Sequence, residues 1–105
     1  MTAKIASSAS VLTTNSYVDL ISIELLPWVR MLLIWLKEEN TNAVKYKVLA
    51  SNDGSRWETL KAETIIANNG STWEWLTDSW RYLKVQHKAS VDGSQGKTTC
   101  IVSGN

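Results

Sequence analysis

The 105-residue chain has no phenylalanine, one proline, one histidine and one cysteine. Each scarcity excludes something. A single cysteine, Cys100, forms no disulfide within the chain, so an oxidising compartment is not required, and folding in a reducing cytosol is expected. A single imidazole, His87, leaves a zinc site to be completed by carboxylates, because no second histidine and no nearby cysteine accompanies it. A Cys100 nucleophile would have only His87 as its base. Long apolar runs are also missing. The longest, MLLIWL at residues 31 to 36, falls far short of the roughly 18 residues that span a bilayer. The opening MTAKIASSASV has no apolar segment of the secretory type, and a soluble, unanchored chain is expected.

Charge of one sign is lacking too. Eleven basic against ten acidic residues give a net charge of +1, without the basic cluster that would neutralise phosphates, so neither a nucleic-acid nor a membrane partner is expected. The short like-charged groups, Lys45 with Lys47 and Glu38 with Glu39, read as ordinary solvated positions.

What is present is the punctuation of an all-β protein. Clusters of Asn, Asp, Gly and Ser (TTNS, EENTN, SNDGS, ANNGS and SVDGSQG) separate segments rich in Val, Ile, Leu, Thr, Tyr and Trp. Strands are predicted over residues 2 to 8, 17 to 26, 28 to 37, 43 to 51, 56 to 62, 73 to 77, 80 to 89 and 97 to 103. No segment keeps a helical period. About eight short strands without helices predict one antiparallel β-sandwich over residues 1 to 105, with jelly-roll-like topology.

Alternation assigns faces. Tyr46, Val48 and Ala50 share a dry side opposite Lys45 and Lys47, and Leu83, Val85 and His87 share one opposite Lys84, Gln86 and Lys88. WVRMLLIWLK, residues 28 to 37, breaks the rule: Leu32, Ile34 and Leu36 form one apolar face and Val29, Met31, Leu33 and Trp35 the other. A strand buried on both faces within the domain has this pattern. So does a strand that meets another chain, and Met31, Leu33 and Trp35 are the candidate interface because a tryptophan with two such neighbours reaches the area that marks association.

Six tryptophans against no phenylalanine is an unusual ratio. Trp73 and Trp75 fall on the same side of STWEWLT, and core packing is the favoured expectation for them because tryptophan is highly buried on average. The alternative is a glycan-stacking platform assisted by Asn68, Asn69 and Arg81. Asp53 and Asp92 each precede glycine and are expected to brace turns and not to bind calcium. Glu58, Glu63 and Glu74 are expected on the wet faces of strands. No metal or cofactor is expected, and no catalytic residue is assigned.

Two resemblances follow from motifs. VKYKVLASNDGSRWETL at residues 44 to 60 resembles the Y-x-V-x-x-S-x-D-G-x-x-W hairpin of discoidin-type (coagulation factor 5/8 C) galactose-binding sandwiches, and WRYLKVQ at 80 to 86 resembles their R-Y-[IVL]-[KR] strand. This likeness covers about half the chain and implies a carbohydrate-binding module. Over the whole length the chain resembles small bacteriophage virion proteins, through Val18 to Pro27, Asn40 to Val48 and Ser51 to Trp57. That resemblance implies a non-catalytic capsid-decoration or tail and fibre component, made in the host cytoplasm and located in the virion. Its implied partners are other virion proteins and further copies of itself, with a glycan as the alternative ligand.

Overall fold

The computed structural model describes residues 3 to 25, 31 to 77 and 80 to 104. Eight strands follow one another: β1 (Ala3–Leu12), β2 (Val18–Glu24), β3 (Leu32–Glu38), β4 (Val44–Ser51), β5 (Glu58–Ile66), β6 (Ser71–Leu76), β7 (Tyr82–Ala89) and β8 (Lys97–Gly104). Residues 28 to 30 of the predicted third strand lie outside the described residues.

The strands form two four-stranded sheets, ordered β1-β8-β3-β6 and β2-β7-β4-β5, and every pairing is antiparallel. Each connection along the chain from β1 to β4 and from β5 to β8 crosses between the sheets, and only β4 and β5 form a hairpin within one sheet. That order is a jelly roll, as the strand spacing predicted. The alternation of apolar side chains decides which faces meet. Ile34, Leu36, Cys100 and Val102 from the first sheet pack against Val44, Tyr46, Val48, Leu83 and Val85 from the second, all fully buried. At about 25 cal/mol per Å², such burial is the main stabilising term of the fold.

Three of the four edge strands are irregular. The ladders of β1, β2 and β5 each contain register shifts, whereas β6 runs beside β3 without one, from Leu32↔Leu76 to Lys37↔Ser71. Shifts of this kind twist an edge and discourage strand addition. The flank between β5 and β6 is closed by side chains. Glu74 turns between the sheets, where the Tyr46 hydroxyl donates to its Oε1 at 2.9 Å and Lys61 Nζ lies at 3.3 Å.

Antiparallel connectivity gathers the β1–β2, β3–β4, β5–β6 and β7–β8 loops at one end of the sandwich, and the β2–β3, β4–β5 and β6–β7 loops at the other. Glu38 sits at the first end and is fully buried, which overturns its expected place in a solvated acidic pair. Its carboxylate accepts from the backbone N–H of Thr41 (3.1 Å), of Asn69 (2.8 Å) and, more distantly, of Lys97 (3.4 Å), and from the Thr41 hydroxyl. Burial pushes its pKa up, but these donors outweigh burial and hold it below the usual carboxylate range. One side chain thus joins two loops to the start of β8.

Candidate interaction face

Strand β3 lies inside its sheet, between β8 and β6, so its outward side chains have neighbours on both sides. Leu33 stands opposite Trp75 and Trp35 opposite Trp73 on β6. On β8, Trp35 stands opposite Ile101 and Leu33 opposite Ser103. Directly opposed residues hold their Cβ atoms about 4.5–5.5 Å apart, so these side chains form one continuous surface. Met31 adjoins it just before β3. Trp73 is 60% exposed, Trp75 54% and Met31 39%, while Leu33, Trp35 and Ile101 are half-buried. No described strand lies over them, since all eight belong to the two sheets.

Two features that looked separate in the sequence are therefore one. The Met31, Leu33 and Trp35 face and the Trp73 and Trp75 pair meet because β3 pairs with β6, some forty residues later in the chain. The core-packing expectation for Trp73 and Trp75 is overturned, because Glu74 takes the inner side of β6 to reach Tyr46 and Lys61, which turns both indoles outward. Glu74 is accordingly not on a wet face.

The polar residues suggested as partners for the indoles are scattered. Asn69 lies in the turn before β6, where its backbone carbonyl and its Oδ1 (2.9 Å) both accept from Lys37 Nζ; Asn68 is exposed in the same turn. Arg81 precedes β7 in the other sheet, with Nη2 3.6 Å from Glu24 Oε1 and its guanidinium 5.4 Å from the Tyr82 ring centre. The structure does not bring Arg81 to the tryptophans.

The opposite outer face has a different character. Lys45, Lys47, Lys84 and Lys88 project from β4 and β7, and aromatic or acidic groups occupy each of them. Lys47 and Lys88 lie 4.3 and 5.2 Å from the Tyr17 ring centre, Lys84 lies 4.3 Å from that of Trp57, and Lys45 Nζ is 3.3 Å from Glu63 Oε1. The Tyr17 hydroxyl donates to Glu63 Oε2 at 2.6 Å. Burial and that carboxylate together push the phenol pKa well above its ordinary value, and the same bond, with Lys45 and Lys88, lowers that of Glu63.

The reactive side chains are sealed inside. His87 and Cys100 have no exposed surface. His87 Nδ1 lies 2.9 Å from Thr98 Oγ1, its Nε2 is buried without a partner, and burial lowers its pKa to about 4. Burial raises the Cys100 thiol to about 12. Asp53 braces its turn as expected: Oδ1 accepts from the N–H groups of Ser55 and Arg56, both at 2.8 Å. Asp92 lies in the turn bridged by Val91 and Ser94. Among the described residues, no group of three or more His, Cys, Asp or Glu side chains is placed to hold a metal.

No protein-family model matches the chain, and no curated protein sequence does. Neither comparison supports the resemblance of the hairpin to discoidin domains. Solved structures share the fold. The PBSX exported protein XepA superposes over 100% of this chain with a TM-score of 0.70 at 14% identity, and the chain spans 37% of XepA. A protein of the IBDV T13 viral particle matches 98% of this chain at a TM-score of 0.54 and 11% identity, over 30% of its own length. Chitosan-binding module 1, from a chitosanase/glucanase of Paenibacillus sp. IK-5, matches 91% at 0.50 and 20%, over 73% of its length. At such identities the likeness shows the β-sandwich and nothing finer.

Proposed function

We propose that this chain is a non-catalytic structural subunit of a bacteriophage particle, decorating the capsid or belonging to the tail or a fibre, and that it assembles through the outer face of the β1-β8-β3-β6 sheet. The exposed apolar surface built from Leu33, Trp35, Trp73 and Trp75 carries this reading. A monomer rarely leaves so much adjoining aromatic surface in water unless something covers it. The virion pattern in the sequence and the sandwiches of XepA and of the IBDV particle support the same reading. The seclusion of His87 and Cys100 supports a role without catalysis.

Carbohydrate binding is the second reading, favoured by two exposed indoles on one face. A protein partner fits that face better. Leu33 and Ile101 continue the surface as aliphatic, the outward strand residues include no carboxylate, and Arg81 is engaged elsewhere. Among the described residues, the outward charged side chains of these four strands are Lys4, Lys37 and Lys97, which suit a partner with an apolar centre and an acidic rim.

Native mass and co-sedimentation with purified particles test the proposal. The wild-type chain should form an oligomer or bind particles with little salt dependence, since the contact is chiefly hydrophobic. The paired changes Met31→Lys and Trp35→Glu should abolish that association while the far-ultraviolet circular dichroism stays that of a β-sandwich. A wild-type monomer that does not bind particles overturns the assignment.

A further inference from the structure

A cleft separate from the tryptophan face lies where the β4–β5 hairpin meets the connection leading into β7. Its volume is about 390 Å³, within the roughly 300–1,000 Å³ of small-ligand sites. Leu60 and Trp80, both half-buried and packed against the core, form its apolar floor. Asn52, Arg56, Glu58 and Thr59 supply polar walls.

The wall is built in advance. Ser51 Oγ accepts from the Gly54 N–H at 3.0 Å and donates to Asp53 Oδ1 at 3.0 Å, and Asp53 in turn fixes the N–H groups of Ser55 and Arg56. Gly54 has φ +79° and lies over the Tyr82 ring, so the backbone of the loop is held in the turn from which these side chains project. Among the described residues no hydrogen bond engages the Asn52 amide, the Glu58 carboxylate or the Thr59 hydroxyl. The Arg56 side chain is 93% exposed, and its Nε stands 3.8 Å from Asp53 Oδ2.

An apolar floor bordered by amide, carboxylate and guanidinium groups has a definite chemical complement. The C–H face of a sugar ring lies on the floor, and neighbouring hydroxyls each give and take hydrogen bonds with the walls. Asp53 and Glu58 outnumber Arg56, which disfavours phosphates, sulfates and acidic sugars. We propose that this cleft binds a neutral or amine-bearing pyranose unit of an oligosaccharide. The site shares no residue with the assembly face, so either can fail without the other.

Amide-resolved NMR titration of the intact chain with a glucosamine trimer, cellotriose and trigalacturonate tests this. The first two should move the resonances of Asn52, Arg56, Glu58 and Thr59 and the Trp80 indole at millimolar concentration, and trigalacturonate should not. Arg56→Ala and Glu58→Gln, both changes at exposed positions, should weaken binding by about tenfold or more, the loss of one to two charge-assisted hydrogen bonds. The Trp73→Ala, Trp75→Ala double variant should bind as the wild type does. The site does not exist as proposed if neither uncharged nor aminated trisaccharide shifts these resonances by about 10 mM, a weak limit for any specific site. Equal binding of trigalacturonate, or shifts centred on Trp73 and Trp75, would equally overturn it.

Discussion

Among the described residues, the loops at one end of the sandwich are bonded to one another, whereas the β4–β5 hairpin at the other end is bonded chiefly within itself. At one end, Glu38 joins the β3–β4 and β5–β6 loops to the start of β8, and Thr13 exchanges two hydrogen bonds with Gly96, N–H to carbonyl at 2.8 Å and N–H to hydroxyl at 3.0 Å. Asn15 Oδ1 accepts from the Gly93 N–H, and the Asn42 amide donates to the Gln95 carbonyl. At the other end, most bonds of the described residues stay within the β4–β5 hairpin, and one backbone bond, Leu25 N–H to Arg81 carbonyl at 2.6 Å, joins two different loops. Bonds between loops fix the relative position of strands from both sheets, whereas bonds within a hairpin fix only that hairpin. The first end should therefore report on the stability of the whole domain, and the β4–β5 hairpin should tolerate change.

Glu38→Ala is the strongest way to break this contrast. It leaves the N–H groups of Thr41 and Asn69 without their acceptor in a part-buried place, while the Lys97 N–H keeps the Thr41 hydroxyl at 2.8 Å, and a loss of about 3 kcal/mol is expected, which denaturant unfolding will measure. Acid should attack the same end. His87, beside Thr98 on the inner face, is neutral in the fold with a pKa near 4 against 6.5 when exposed. Its contribution is complete above pH 6.5 and is lost as pH falls to 4, by about 3 kcal/mol. The carboxylate of Glu38 acts in the same direction, because its folded pKa is depressed and its protonation also favours unfolding. Unfolding midpoints between pH 7 and 4 should slope accordingly, and His87→Gln should flatten the portion between 6.5 and 4.

Smaller effects refine the comparison. In Gly96→Ala, the new Cβ would stand 2.3 Å from the Asn42 carbonyl oxygen, a backbone atom that cannot turn aside, and a loss of about 2 kcal/mol is expected in thermal or chemical unfolding. Gly54→Ala, at the open end, meets the Tyr82 ring at an ordinary 3.4 Å and pays mainly for its positive φ, about 1 kcal/mol. Arg56→Ala should change stability by less than about 0.5 kcal/mol, as exposed positions usually do. A large loss at Arg56 together with a small one at Glu38 would invert the contrast.

The sequence made much of this visible. Turn clusters placed all eight strands, and alternation correctly put Tyr46, Val48, Leu83, Val85 and His87 inside and the lysines of β4 and β7 outside. What it concealed were positions decided by partners distant in the chain. Glu38 looks like half of a solvated acidic pair until the loops carrying Asn69 and Lys97 arrive above it. Trp73 and Trp75 look like core because hydrophobicity points inward, yet the phase of β6 follows Glu74, whose partners Tyr46 and Lys61 lie on β4 and β5. The shared face of Leu33, Trp35, Trp73 and Trp75 required knowing that β3 and β6 are neighbours. Period-two alternation tells which residues travel together but is silent on which strand lies alongside.

The contrast between the two broad surfaces has a mechanical consequence. The molecule is a slab whose smallest extent is 17 Å, with tryptophans on one broad side and lysines held by aromatic rings on the other. A subunit seated by its tryptophan side has a single way up. A layer of such subunits would add little thickness to what it covers, and it would turn a lysine-bearing side outward.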